Sequence, residues 1–175
     1  MNQSFEFREV THFTAGALGE PGERVFYLQV GDAGSHVTVK LEKQQVKALA
    51  QFLKGVLNDL PSTTESASPV PLVNPTLPEW TVGQIAVGMN EADAEVVLVI
   101  GELVIEEDSG DELDLEDDIL MIDEDEGAKL RAHIGVNQAA SFIATSEELM
   151  TQGRPPCRLC GQPLDPVGHA CPRLN

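Results

Sequence analysis

Apolar and polar residues alternate from Phe5 to Phe13 (FEFREVTHF), the period of a half-buried strand. A glycine-rich stretch, 14–23, follows and predicts a loop. Val25–Val30 (VFYLQV) reads as a second strand. Gly31-Asp32-Ala33-Gly34 supplies a turn, and His36–Leu41 (HVTVKL) returns as the hairpin partner. From Glu42 the period changes: Val46, Leu49, Phe52, Leu53, Val56 and Leu57 recur three and four apart, which predicts an amphipathic helix over 43–60. Residues 61–79 carry five prolines and a Ser/Thr cluster and read as an extended linker. Beyond it, Trp80–Met89 predicts a strand, Glu91-Ala92-Asp93 a turn, and Glu95–Ile105 (EVVLVIGELVI) the strongest strand in the chain. Leu130–Ile134 predicts a short strand. Asn137 then caps a helix to about Thr151, with Ala140, Phe142, Ile143, the Glu147 stem and Met150 on its inner face.

These elements predict an α+β fold: an antiparallel-rich sheet with two helices on one face. An ungapped offset of 93 lays Phe26–Ala50 on Ile119–Ile143. It brings Asp32/Gly34 onto Asp125/Gly127, Val37 onto Leu130, Leu41 onto Ile134, Gln45 onto Gln138 and Leu49 onto Phe142. The chain thus reads as an internal repeat, strand–hairpin–helix twice, over 1–60 and 80–152. Phe5/Phe7 would fall on Leu98/Ile100, and the acidic loop 106–116 would replace the glycine loop 14–23. The α+β domain spans 1–152, with linker 61–79 inside it and a small tail at 153–175.

Charge changes the picture locally. The 175 residues sum to −18, but thirteen carboxylates lie between Glu106 and Glu126 with no Lys or Arg among them. Without those thirteen the balance is −5. A nucleic-acid backbone or an anionic membrane surface is disfavoured as partner, because both need a cationic face. No apolar run approaches the roughly 18 residues of a membrane helix. MNQSFEFREV lacks a basic segment followed by an apolar one, so no signal peptide is expected and the location is read as cytoplasmic.

All three cysteines fall in the last nineteen residues. The segment reads Cys157-x-x-Cys160-Gly161, then Gln162–Pro166, then His169-x-Cys171-Pro172. Gly161 relaxes the backbone behind the second sulfur, and the two prolines turn the chain back. Cys157, Cys160, His169 and Cys171 therefore predict a closed Cys3His shell for one structural zinc ion. The fourth position could instead be taken by Asp165 or water. Three unrelated thiols, or a redox pair at Cys157/Cys160, are the competing readings; no thioredoxin-like strand and helix surrounds the pair. Nineteen residues bury little, so the metal must supply the folding energy. Arg154-Pro155-Pro156 reads as a stiff hinge.

Other features carry less. The acidic segment fails the D-x-[DN]-x-[DN]-G-x5-E calcium pattern and reads as a solvated loop. Gly16-x-x-Gly19-x-x-Gly22 precedes a strand rather than a helix, so it lacks the amides that cradle phosphate. His12, His36 and His133 stand isolated on strands, with no carboxylate partner legible. No catalytic or cofactor-binding residue is assigned.

EPGERVFYLQV, KLEKQQVKALA and GRPPCRLCGQPLDPVGHACPR together resemble a family of actinobacterial proteins of unknown function, domain of unknown function 3090. The resemblance spans essentially the whole chain and supplies no activity. It implies genomic neighbours resembling a phosphomutase-like phosphatase and a distant kinase. The sequence thus favours a non-enzymatic protein-interaction module with a protein partner, no assignable small-molecule substrate and no membrane role. An enzyme acting with the phosphatase-like and kinase-like neighbours is the alternative, and a zinc-ribbon nucleic-acid binder the second.

Overall fold

The structure is a computed structural model that describes residues 2–59, 67–74, 76–90, 95–104, 127–164 and 167–174. Among these the chain order is β1 (Phe5–Phe7), β2 (His12–Leu18), β3 (Val25–Gly31), β4 (His36–Leu41), α1 (Lys43–Asn58), β5 (Val82–Asn90), β6 (Glu95–Glu102), β7 (Lys129–Ile134) and α2 (Val136–Thr151). The class is α+β. The strands form a mixed four-stranded sheet in the order β1-β7-β6-β5, and an antiparallel three-stranded sheet, β2-β3-β4.

The first strand differs from its sequence reading. The alternating run Phe5–Phe13 breaks at Arg8–Thr11 and serves both sheets: β1 runs parallel to β7, whereas β2 pairs with β3. Residues 14–18 continue β2 rather than opening a loop. Small side chains and glycine hid this strand, whose Phe13, Thr14, Ala15 and Gly16 are all buried. At α2 the N-cap is Gly135 and not Asn137, which is the exposed second residue of the helix. Glu147 is exposed and pairs with Lys54 of α1 at 2.9 Å; the buried face of α2 is made by Ala139, Ala140, Phe142, Thr145, Ser146 and Leu149.

The strand alternation builds one core. Phe26, Leu28 and Val30 of β3 lie beside Val37, Val39 and Leu41 of β4; Val96, Leu98 and Ile100 of β6 lie beside Leu130, Ala132 and Ile134 of β7. Val46, Leu49 and Leu53 of α1 and Phe142 of α2 complete the cluster. Phe13 stacks on Phe142 with ring centroids 4.5 Å apart and planes at 18°, which ties β2 to α2. Full burial of each such side chain stabilises the fold by about 1.5–3 kcal/mol.

The opposite face of the three-stranded sheet carries a buried polar row, Thr14, Gln29 and Thr38. Its partner is the described part of the proline-rich segment, which lies packed as a strap. Val73 donates its N–H to Gln29 Oε1 (2.7 Å), and Gln29 Nε2 donates to Val73 O (2.8 Å) and to Thr38 Oγ1 (3.0 Å). Thr14 Oγ1 donates to Val70 O, while Val70 N–H donates to Thr145 Oγ1 of α2 at 2.9 Å. Leu72 fills the hollow over Gly16, where an added Cβ would come 2.4 Å from its side chain. The row thus satisfies the strap's backbone groups, as buried polar groups require.

Three antiparallel strands followed by a helix occur twice, β2-β3-β4-α1 and β5-β6-β7-α2, and the two runs contact each other reciprocally. β4 lies parallel to the stretch entering β5: Glu79 N–H donates to Thr38 O, and Lys40 N–H to Trp80 O, each at 2.9 Å. β7 lies parallel to β1, the stretch entering β2. The 93-residue offset carries β4 onto β7 and α1 onto α2 without remainder. Upstream it fails, because the register sets Phe26 opposite Leu41 but Val96 opposite Ile134. Phe26 therefore corresponds to Val96, and Leu98 and Ile100 correspond to Leu28 and Val30, not to Phe5 and Phe7. The offset there is 70. The difference falls in the chain between β6 and β7. Residues 105–126 lie outside the described residues, as do the alignment and calcium readings made on them.

Candidate metal centre

The tail folds as a small hairpin on its own backbone bonds. Leu164 N–H donates to Pro155 O (2.8 Å), Cys157 N–H to Gln162 O (2.7 Å) and Gly161 N–H to Cys157 O (2.9 Å), with Pro156 bridged to Pro163. Pro155 and Pro156 are thus part of the knuckle rather than a hinge before it. Gly161 takes φ +75°, the left-handed value that an L side chain resists, and this turns Cys157 and Cys160 to one side. Gly168, at φ +89°, does the same ahead of His169.

The result brings together the four residues singled out from the sequence. One donor atom from each of Cys157, Cys160, His169 and Cys171 lies within 4.8 Å of all the others. Cys157 Sγ is 4.0 Å from Cys171 Sγ, and Cys160 Sγ is 3.2 Å from His169 Nε2. Metal–sulfur bonds of about 2.3 Å in a tetrahedron separate sulfurs by about 3.8 Å, so the spacing suits one ion. Cys171 is buried, while the other three are half-buried. The Cys157 thiol is held below its ordinary range, first by the Cys160 amide and then by that of Leu159. Cys160 is pushed up: the Gln162 amide favours its thiolate, but burial and the neighbouring Cys157 and Cys171 outweigh it. Several thiols at one point favour a cation that neutralises them together. Three sulfurs and an imidazole constitute a metal-binding donor set.

The remaining candidates separate. His133 Nδ1 lies 2.8 Å from Glu95 Oε2, a half-buried pair on the face of β6–β7 away from the core. Sequence reasoning missed it, because the long β6–β7 connection hides which residues of the two strands are opposed. His12 Nε2 lies 3.3 Å from Gln29 Oε1, and His36 is exposed. Gly16 belongs to β2, so the three glycines form no cradle. Gly22, at φ +105°, lies against the Arg154 guanidinium, and both line a cavity of about 260 Å³ with Arg24, Lys43 and Pro163. Arg24 Nη2 donates to Gln152 O at 2.7 Å, securing the end of α2. No helix among the described residues is long and apolar enough to cross a membrane.

Fold and site together define an α+β domain with a Cys3His cluster in its tail whose spacing suits a metal ion. The chain belongs to the family described as Protein of unknown function (DUF3090), which it matches over residues 5–171, from β1 to the last cysteine of the cluster. No curated protein and no solved structure matches it.

Proposed function

We propose that this protein is a cytoplasmic, non-enzymatic protein-interaction module whose tail is held by one structural zinc ion. The Cys3His donor set is the observation that carries the zinc part of this reading. Cys157, Cys160, His169 and Cys171 would hold the ion. Four protein ligands leave no coordination position for water or substrate, the arrangement of structural rather than catalytic zinc. The ion's contribution is to fold a tail too small to bury a core of its own. The main domain is read as a duplicated strand–strand–strand–helix unit, with reciprocal edge pairing and matched burial of Val46/Ala139 and Leu49/Phe142 in support. Metal analysis of desalted protein tests the zinc assignment: about one zinc per chain is expected. Less than half an equivalent, with all three thiols titrating freely, would overturn it.

A further inference from the structure

The two runs of strands and helix treat their outer edges differently. On the first sheet the edge strand β2 is crossed by the strap, anchored at Thr14, Gly16, Gln29 and Thr145. The strand registers and the helix offset give each anchor a counterpart around β5, the edge strand of the second sheet. Thr14 corresponds to Ala86, Gly16 to Gly88, Gln29 to Val99 and Thr145 to Phe52. This second track is vacant among the described residues. A Cβ on Gly88 would meet only Val97 O, at 3.9 Å, where one on Gly16 would strike Leu72. Thr14, Gln29 and Thr145 all have apolar counterparts, while Thr38 of the same row corresponds to the exposed Arg131. Phe52 is 49% exposed and Met89 40%. On the core side of the same edge, Leu49, Phe52, Ile85 and Val87 line a groove of about 380 Å³ between α1 and β5, so the track runs from Gly88 on the outer face around the edge to Phe52.

We infer that the β5/α1 track is a docking site for an extended, proline-containing apolar segment of a partner protein, flanked by lysine or arginine. This deepens the interaction-module reading and rests on it. The strap shows the kind of chain that fits. Pro69, Val70, Pro71, Leu72 and Val73 follow the equivalent path over β2, with Leu72 seated on Gly16. Proline pre-orders such a segment in the extended state, so little conformational entropy is lost on docking. Among the described residues no strand pairs with the outer edge of β5, whose backbone donors and acceptors can meet such a segment. The second track lacks counterparts of Thr14, Gln29 and Thr145, so the guest is held by apolar side chains over Gly88 and against Phe52. Charge sets the flanks: a chain at −18 attracts cations and repels anions at long range.

The test is fluorescence anisotropy with a labelled synthetic peptide carrying Pro-Val-Pro-Leu-Val between lysine pairs. A second peptide carries glutamate pairs instead. The lysine peptide should bind saturably, and more weakly as salt is raised; the glutamate peptide should bind at least about tenfold more weakly. Gly88→Leu fills the vacant hollow on an exposed edge, and Phe52→Ser removes the apolar wall. Each should weaken binding at least about tenfold, while Gly55→Ala, in open space on α1, should not. Thermal melts and zinc content of the same samples separate a failed groove from a failed fold or metal site. Three results would overturn the inference: no binding at millimolar peptide, binding that both groove variants leave unchanged because the peptide displaces the strap over Gly16, or a dimer in sedimentation that Gly88→Leu abolishes.

Discussion

Gln45 and Gln138 make the same two hydrogen bonds. The Oε1 of Gln45 accepts the N–H of Glu42, the N-cap of α1, at 2.7 Å, and its Nε2 donates to Val82 O at 3.3 Å. The Oε1 of Gln138 accepts the N–H of Gly135, the N-cap of α2, at 2.9 Å, and its Nε2 donates to Val10 O at 2.6 Å. Each amide therefore closes its own helix start and holds the chain entering the other run's first strand. Gln138→Glu keeps the acceptor and loses the donor, leaving Val10 O facing a carboxylate. The expected cost is about 1–3 kcal/mol, with a smaller loss for Gln45→Glu, whose second bond is longer. Urea unfolding followed by Trp80 fluorescence measures both.

Leu49 and Phe142 occupy matching buried positions on α1 and α2. Leu49→Ala should cost about 2–5 kcal/mol and Phe142→Ala about 3–5 kcal/mol. Phe142 should be the more costly, because its loss also leaves Phe13 without its stacked partner. Chemical denaturation decides it; equal and small losses would mean that the two helices do not share one core.

Cys171→Ser removes the buried ligand of the cluster and should abolish stoichiometric zinc binding. Chelation of the unaltered protein should collapse the tail and leave the α+β core folded, because the core cluster contains no residue beyond Met150. Amide exchange before and after chelation reads this directly, with faster exchange confined to the region after Gln152.

Gly16→Val should evict Leu72 and release the strap, since the new Cβ would overlap the leucine side chain. Proteolysis within 67–74 should then accelerate several-fold while the helix signal in circular dichroism persists. A variant cleaved as slowly as the parent would show that the strap adjusts around the new side chain.

Asp32 accepts hydrogen bonds from the N–H groups of Gly34 (2.8 Å) and Ser35 (2.9 Å). Those amides, Gly34 first, hold its carboxyl below the ordinary aspartate range. A folded pKa below the unfolded one of about 3.9 stabilises the fold above that pH. The stabilisation is lost as pH falls through the lower folded value. Carboxyl NMR should show Asp32 titrating below an unperturbed aspartate. Asp32→Asn should remove that component from the acid limb of the stability profile.

Much of this was legible in the chain. β3, β4 and both helices follow from period alone, since Leu28, Val39, Leu49 and Phe142 repeat at the spacing of a one-sided strand or helix. The cysteine spacing and Gly161 foretell the ligand cluster, because chelation by a short tail is a local property. What escaped was non-local. Gln29 looks like an exposed strand residue until the strap is placed over it, and TAGAL, with Thr14 at its head, reads as loop because its burial comes from a segment 56 residues away. The His133–Glu95 pair was hidden for the same reason, as opposition across a long connection leaves no periodic trace.

The parallel pairing of β1 with β7 also bears on synthesis of the chain. Phe5 pairs with Leu130, so the first strand has no edge to join until 125 further residues have been made. The first half leaves the ribosome with β1 unpaired and Val10 O awaiting Gln138. Contacts of such wide separation are entropically costly to close and slow to form. Native closure therefore waits for β7 and α2, and the nascent chain depends on local hairpins and α1 for protection until they emerge.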